Sequence, residues 1–234
     1  MTRNTRRRPR IAIVDNSIDP TLYNPVEHWS PYLSGEWEAF RAPQFLLPDL
    51  RRGYSHLILT GSEASILDRE PWVDEEAELV RDAFQKGLSI LGSCYGHQLL
   101  ALALAGPSHV RRCREPEIGW IPIDVQTDTP LLGQPGRAFS FSLHYDEVVN
   151  LAEPFAVLAS TAICPIQAFG YSGKNIWGLQ IHPEINVAAA RVLMKNLLPL
   201  NAEIRPLYEK ALASEPRDSG LIVKIVEAFL TISP

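Results

Sequence analysis

Apolar positions fall in two kinds of pattern along the chain. Residues 11–15, 56–60 and 88–93 are short runs that are apolar almost throughout. Strands buried on both faces read this way. A segment opening at Glu70-Pro71-Trp72, with Asp74, Glu75 and Glu76 in its first turn, predicts a helix to about Lys86 with Gly87 as its stop. A second helix is predicted over 96–105, ended by Gly106-Pro107. Alternating apolar strands and helices imply a parallel sheet covered on both faces. The pattern then changes. Residues 118–126, 137–144, 155–162 and 165–171 are strand-like runs between turns, read as antiparallel additions. Gly173-Lys174 is read as a hairpin turn. A last strand is predicted over 176–181, with helices near 187–198, 202–214 and 219–231. Residues 16–48 hold Pro20, Tyr23, Trp29, Trp37 and Phe40 without a clean period. One short helix in an otherwise irregular segment is expected there. The fold class predicted is α/β: three layers around a mostly parallel central sheet, in a flavodoxin-like arrangement with antiparallel additions.

Composition changes this picture little. Hydrophobic residues make up 46% and charged residues 21%, which excludes a disordered chain, a collagen or a coiled coil. The longest strictly apolar stretch, 99–105, falls far short of the ~20 residues of a membrane span. No secretory apolar region follows the N-terminus, so no signal peptide, no membrane partner and a cytoplasmic location are expected. Three cysteines, Cys94, Cys113 and Cys164, have no close spacing. That argues against a disulfide framework and leaves a catalytic thiol open. Residues 1–10 carry Arg3, Arg6, Arg7, Arg8 and Arg10, leaving a net charge of about −10 on the rest. Such a body does not suit nucleic acid, and the arm is read as a solvated terminus. The expected organisation is a basic arm over 1–10, a main domain over 11–200 and a helical extension over 201–234 packed on it.

The segment Gly92-Ser93-Cys94-Tyr95-Gly96-His97-Gln98 is the most informative. A strand runs into Cys94 and a helix leaves it, the thiol form of a nucleophile elbow. Glycine suits Gly92 and Gly96 because the turn brings the chain close to itself there. The helix N-terminus favours negative charge on the sulfur. Its backbone amides can also hold an oxyanion. The second segment is His182-Pro183-Glu184, just past a strand end at the same sheet edge. A thiol nucleophile needs a base, and the base a group that orients it. Cys94, His182 and Glu184 supply these roles in that order.

Together these motifs resemble the class I (triad) glutamine amidotransferases, over roughly residues 11–198. The resemblance implies that Cys94 attacks the side-chain amide of glutamine and releases ammonia through a glutamyl thioester. It assigns His182 as general acid and base, Glu184 as its orienting group, and Gln98 to the substrate glutamine. The family's oxyanion segment follows the second strand, here Thr60-Gly61-Ser62, with Ser62 at the second glycine position. Ser62 and Tyr95 would donate their amides to the oxyanion, with Gly61 beside the substrate. The loop Ser142-Leu143-His144-Tyr145-Asp146-Glu147 resembles the Ser-His-Gly-Asp loop of GMP-synthetase amidotransferase domains, with Tyr145 in place of glycine. It adds His144, Tyr145 and Asp146 as substrate contacts.

Neither a Gly-x-x-x-x-Gly-Lys-Ser/Thr loop nor a Ser-Gly-Gly-x-Asp-Ser loop occurs. The expectation is therefore a glutaminase working with a separate synthase subunit. The alternatives are a gamma-glutamyl peptidase acting on glutathione-type conjugates, and a pseudo-enzyme serving as a binding module. No cofactor is expected. No metal site is expected either: His109 and Cys113 have no further ligands nearby, and Cys113 and Cys164 are read as packing residues.

Overall fold

A computed structural model describes residues 8–231 of the chain. Arg3, Arg6 and Arg7 of the basic arm lie outside the described residues. The strands are β1 (Arg10–Asp15), β2 (Glu36–Arg41), β3 (His56–Leu59), β4 (Ser89–Ser93), β5 (Val110–Val125), β6 (Gly136–Val148), β7 (Phe155–Ser160), β8 (Ala168–Tyr171) and β9 (Ile176–Leu179). The helices are α1 (Pro25–Trp29), α2 (Val73–Lys86), α3 (Tyr95–Leu104), α4 (Val187–Leu197), α5 (Arg205–Ala213) and α6 (Leu221–Thr231). The strands form one sheet in the order β2-β1-β3-β4-β9-β8-β7-β5-β6. Pairings from β2 through β9 are parallel. Those from β9 through β6 are antiparallel.

Strand side chains alternate between faces, and that sorts the apolar runs into two cores. Ala12, Val14, Leu57, Leu59 and Ile90 pack with Val73, Ala77 and Val80 of α2 and with Leu99 and Leu100 of α3. Ile11, Ile13, Ile58 and Leu91 point the other way, onto Ile222, Ile225, Val226 and Phe229 of α6. Helices on both sides of the sheet make the three layers. Each fully buried Ile or Leu adds roughly 1.5–3 kcal/mol by leaving water. A third cluster joins Phe141 and the half-buried Trp120 to Ala190 and Met194 of α4 and to Tyr208 and Ala211 of α5. Gly87 ends α2 in the left-handed region, at φ 75°.

Two parts of the sheet depart from the expectation. Residues 16–48 contain α1 but also the edge strand β2, paired in parallel with β1. Its sequence, Glu-Trp-Glu-Ala-Phe-Arg, interleaves charged with apolar residues, and no position in it is fully buried. It therefore lacks the continuous apolar signal of a central strand. Glu38 faces Arg10 at 2.8 Å and Arg52 at 3.0 Å. Strand β5 begins at Val110, well before the predicted start at residue 118. Its first half is highly charged, and cross-strand ion pairs tie it to β6: Arg111 to Glu147 at 2.8 Å and Arg112 to Asp146 at 3.0 Å. The register shifts between Arg112 and Glu117.

Candidate active site

The turn between β4 and α3 holds Cys94 at φ 48°, ψ −104°. For a residue with a Cβ this backbone costs on the order of 1–3 kcal/mol, and surrounding bonds must enforce it. The Cys94 amide donates to the Leu179 carbonyl at 2.7 Å, and the Gly96 amide to the Thr60 carbonyl at 3.1 Å. Neighbouring strands thus clamp the elbow from both sides. A Cβ at Gly92 would collide with the Gly96 carbonyl, and one at Gly96 with the Leu59 carbonyl. Both glycines are required by close approach.

His182 follows β9 and is fixed by its amide, which donates to the Phe141 carbonyl at 2.9 Å. Its Nδ1 meets Glu184 Oε1 at 2.8 Å. A carboxylate only accepts, so Nδ1 carries the proton, and Nε2 is the nitrogen left for chemistry. The ring is also hydrogen-bonded to Cys94. Burial opposes the charged ring, but Cys94 and Glu184 outweigh it and push the His182 pKa up to about 10. Glu184 is buried and is reached in turn by Ser93 Oγ at 3.2 Å and by the Tyr23 hydroxyl at 3.3 Å. The Gln180 amide donates toward the Cys94 sulfur at 3.6 Å.

The sulfur opens on a cavity of about 680 Å³ whose wall includes Ser62, Cys94, Tyr95, Gln98, Tyr145 and His182. His144 and Asp146 also reach it. Gly61 lies against the His182 ring, where a Cβ would stand 2.7 Å from Cε1. Gln98 Nε2 donates to the Asp146 carbonyl at 2.9 Å and to Gln180 Oε1 at 3.2 Å, joining α3 to the 142–147 loop. The Tyr145 hydroxyl meets that of Tyr208 on α5. Asp146 Oδ2 accepts from Ser65 Oγ at 2.6 Å. Burial pushes the Asp146 pKa up, against the opposing pull of Ser65 and Arg112. Both ring nitrogens of His144 are engaged, Nδ1 with the Asp146 carbonyl at 3.0 Å and Nε2 with Glu117 Oε2 at 3.0 Å. Its ring is thus held by protein groups where it borders the cavity.

Sequence reasoning missed Tyr23, Ser93 and Gln180. Tyr23 comes from the aperiodic 16–48 segment, which offered no signal for it. Ser93 stands inside the elbow motif, one residue before Cys94, where it was given no role, and Gln180 lies two residues before His182. His97, inside the elbow motif, is buried beside Phe169, and burial lowers its pKa to about 3. It packs the core and does not enter the cavity wall. Cys113 also does more than pack: its sulfur lies 3.4 Å from His144 Nδ1.

Among the described residues no helix is long and apolar enough to cross a membrane. The family described as glutamine amidotransferase class-I matches residues 47–198, well over half of the chain. A GMP synthase [glutamine-hydrolyzing] of Caldicellulosiruptor saccharolyticus is 37% identical over 145 residues, 61% of this chain and 27% of the relative. One subunit of the GMP synthase [glutamine-hydrolyzing] of Methanocaldococcus jannaschii is 35% identical over 121 residues, 51% of this chain and 63% of the relative. The chain thus spans only part of the length of these relatives. A solved glutamine amidotransferase from Thermotoga maritima shares the fold with TM-score 0.73 at 19% identity, covering 97% of both chains. The strand-to-helix elbow with its cysteine, and the domain that frames it, are those of an enzyme family: the chain belongs to the class-I glutamine amidotransferases.

Proposed function

We propose that this chain hydrolyses the side-chain amide of glutamine through a thioester on Cys94 and delivers ammonia to a separate synthase subunit. The observation that carries the reading is the connected series Cys94–His182–Glu184, whose first two members stand in the wall of one cavity. The Cys94 thiolate attacks the amide carbon, and the amides of Ser62 and Tyr95 receive the developing oxyanion. His182 passes its Nε2 proton to the departing nitrogen, which leaves as ammonia. It then takes a proton from the water that cleaves the thioester, releasing glutamate and the free thiol. Glu184 holds the ring in the required tautomer. Gln98, Tyr145 and Asp146 position the substrate, with Gly61 keeping the approach to His182 clear.

The arm over 1–10, the 11–200 domain and the 201–234 extension are proposed as the working division of the chain. The synthase partner is supported by the Methanocaldococcus jannaschii relative, which is named as one subunit of a GMP synthase. Gamma-glutamyl peptidase activity draws no support from the relatives, and the connected triad argues against a binding module without activity. The test measures ammonia and glutamate release by the purified chain with glutamine, beside cleavage of gamma-glutamyl dipeptides. Glutamine hydrolysis that disappears in Cys94→Ala supports the proposal. Efficient dipeptide cleavage with glutamine barely touched overturns it.

A further inference from the structure

Behind the 142–147 loop, Glu117 of β5, His144 of β6 and Cys164 of the turn after β7 each offer one ligand atom. These atoms all lie within 4.8 Å of one another. All three side chains are buried. The proton positions are informative. The Asp146 carbonyl can only accept, so His144 Nδ1 donates to it, and a neutral ring then turns the lone pair of Nε2 toward Glu117 Oε2 at 3.0 Å. Two acceptors that face each other need a positive charge between them, either a proton or a metal ion. A ring whose second nitrogen donates to a backbone carbonyl is the arrangement in which histidine usually binds metal. The carboxylate is oriented from outside: Thr161 Oγ1 donates to Oε1 at 2.7 Å, and Gln167 donates to Oε2. Gln167 Oε1 is buried beside it with no partner of its own, an acceptor left over at the site. The Cys164 amide is fixed by Thr161 Oγ1 at 2.9 Å.

We propose that Glu117, His144 and Cys164 form a binding site for a divalent transition-metal ion of the zinc class. One nitrogen, one oxygen and one sulfur ligand suit such an ion, and the nitrogen–oxygen pair at 3.0 Å has only to open by a few tenths of an ångström to reach the ~3.3–3.4 Å edge of a tetrahedron with bonds of about 2.0–2.1 Å. His144 also borders the active-site cavity, which gives the ion a route in. On binding, Cys164 releases its thiol proton to solvent, and the ion joins β5, β6 and the 161–164 turn behind the loop that carries Tyr145 and Asp146. The site is therefore a clamp on that loop.

The test uses Co²⁺ on the full chain carrying Cys94→Ser, so that the active-site thiol cannot bind the probe and the result does not depend on amide hydrolysis. Expected are one equivalent of Co²⁺ bound, a thiolate-to-cobalt absorption band in the near ultraviolet, and displacement by Zn²⁺. Adding Cys164→Ser should abolish the band while far-ultraviolet circular dichroism stays unchanged. If that variant does not fold, Glu117→Gln in its place should weaken binding at least about tenfold. No stoichiometric band in the Cys94→Ser chain, a band that survives loss of Cys164, or undiminished binding by Glu117→Gln would each overturn the proposal.

Discussion

The hydroxyl of Tyr208 on α5 meets the hydroxyl of Tyr145 in the loop that walls the cavity. Tyr208 is fully buried in the cluster beneath it, whereas Tyr145 reaches the cavity. Helix α5 thereby fixes a loop that lies 63 residues earlier in sequence. Tyr208→Phe removes the bond and leaves the packing. A bond of this kind is worth about 1 kcal/mol, so KM for glutamine should rise about fivefold with kcat nearly unchanged. Steady-state ammonia release against glutamine concentration checks this.

Cys94→Ala and His182→Ala should each reduce turnover on the order of 10⁴-fold or more, and the double variant should be no worse than either, because residues acting as a unit do not add. Glu184→Ala should retain more activity, since it orients the ring without touching the substrate. Equal losses in all three would show that Glu184 does more than orient.

The raised His182 pKa has a definite cause and therefore a definite response. Burial alone lowers it, and Cys94 and Glu184 carry it up to about 10. Because the folded value lies above the ordinary one, the ring's contribution to stability is fully present below the usual histidine range. It is lost as pH rises through about 10. In Cys94→Ala the largest favourable partner is gone, so the ring should titrate at lower pH, as read from its NMR proton shifts. An unchanged titration would mean that Cys94 does not set it.

Glu76 on α2 is buried, and neither carboxyl oxygen has a well-formed partner. Burial raises its pKa to about 8, with the Asn16 side chain offsetting part of the shift. The folded protein therefore binds this proton more tightly than the unfolded chain does. Stability falls as pH climbs from the ordinary carboxyl range through about 8. Glu76→Gln should leave the melting temperature unchanged at pH 5 and raise it by several degrees at pH 8. Thermal melts at the two pH values decide it.

Gly61→Ala places a methyl group 2.7 Å from His182 Cε1 and 2.9 Å from the Tyr23 hydroxyl. Either the ring or the tyrosine must move. The expected result is a loss of about 10²-fold in turnover, as for a misplacement of about 1 Å at a catalytic group, with a melting temperature changed by only a few degrees. Near-normal turnover would show that the contact relaxes without disturbing the ring.

Most of the parallel half of the sheet was legible because strands buried on both faces must be apolar at nearly every position. Ile11–Val14 and Leu57–Leu59 meet that demand. The elbow was legible for a related reason: only glycine tolerates the approach of Gly96 to Leu59. What escaped was structure whose signal is carried by a partner. Strand β2 exists because β1 offers it an edge, and the start of β5 because Glu147 and Asp146 lie across from Arg111 and Arg112. Within the site, Tyr23 reaches Glu184 across 161 residues of sequence. The Glu117–His144–Cys164 grouping has no sequence spacing that marks it, because a register shift in β5 sets it.

The position of β9 governs the order in which the molecule can be completed. It lies between β4 and β8, yet it is the last strand in the chain. Until residues 176–179 arrive during synthesis, the parallel and antiparallel halves have no shared strand, and β4 presents an open edge of unpaired amides and carbonyls. Its insertion closes that edge and brings Leu179 to the Cys94 amide and His182 to the Phe141 carbonyl. Cys94 and His182 therefore come together in the same late, long-range step. Contacts so far apart in sequence form slowly, and a chain interrupted before β9 holds Cys94 without His182.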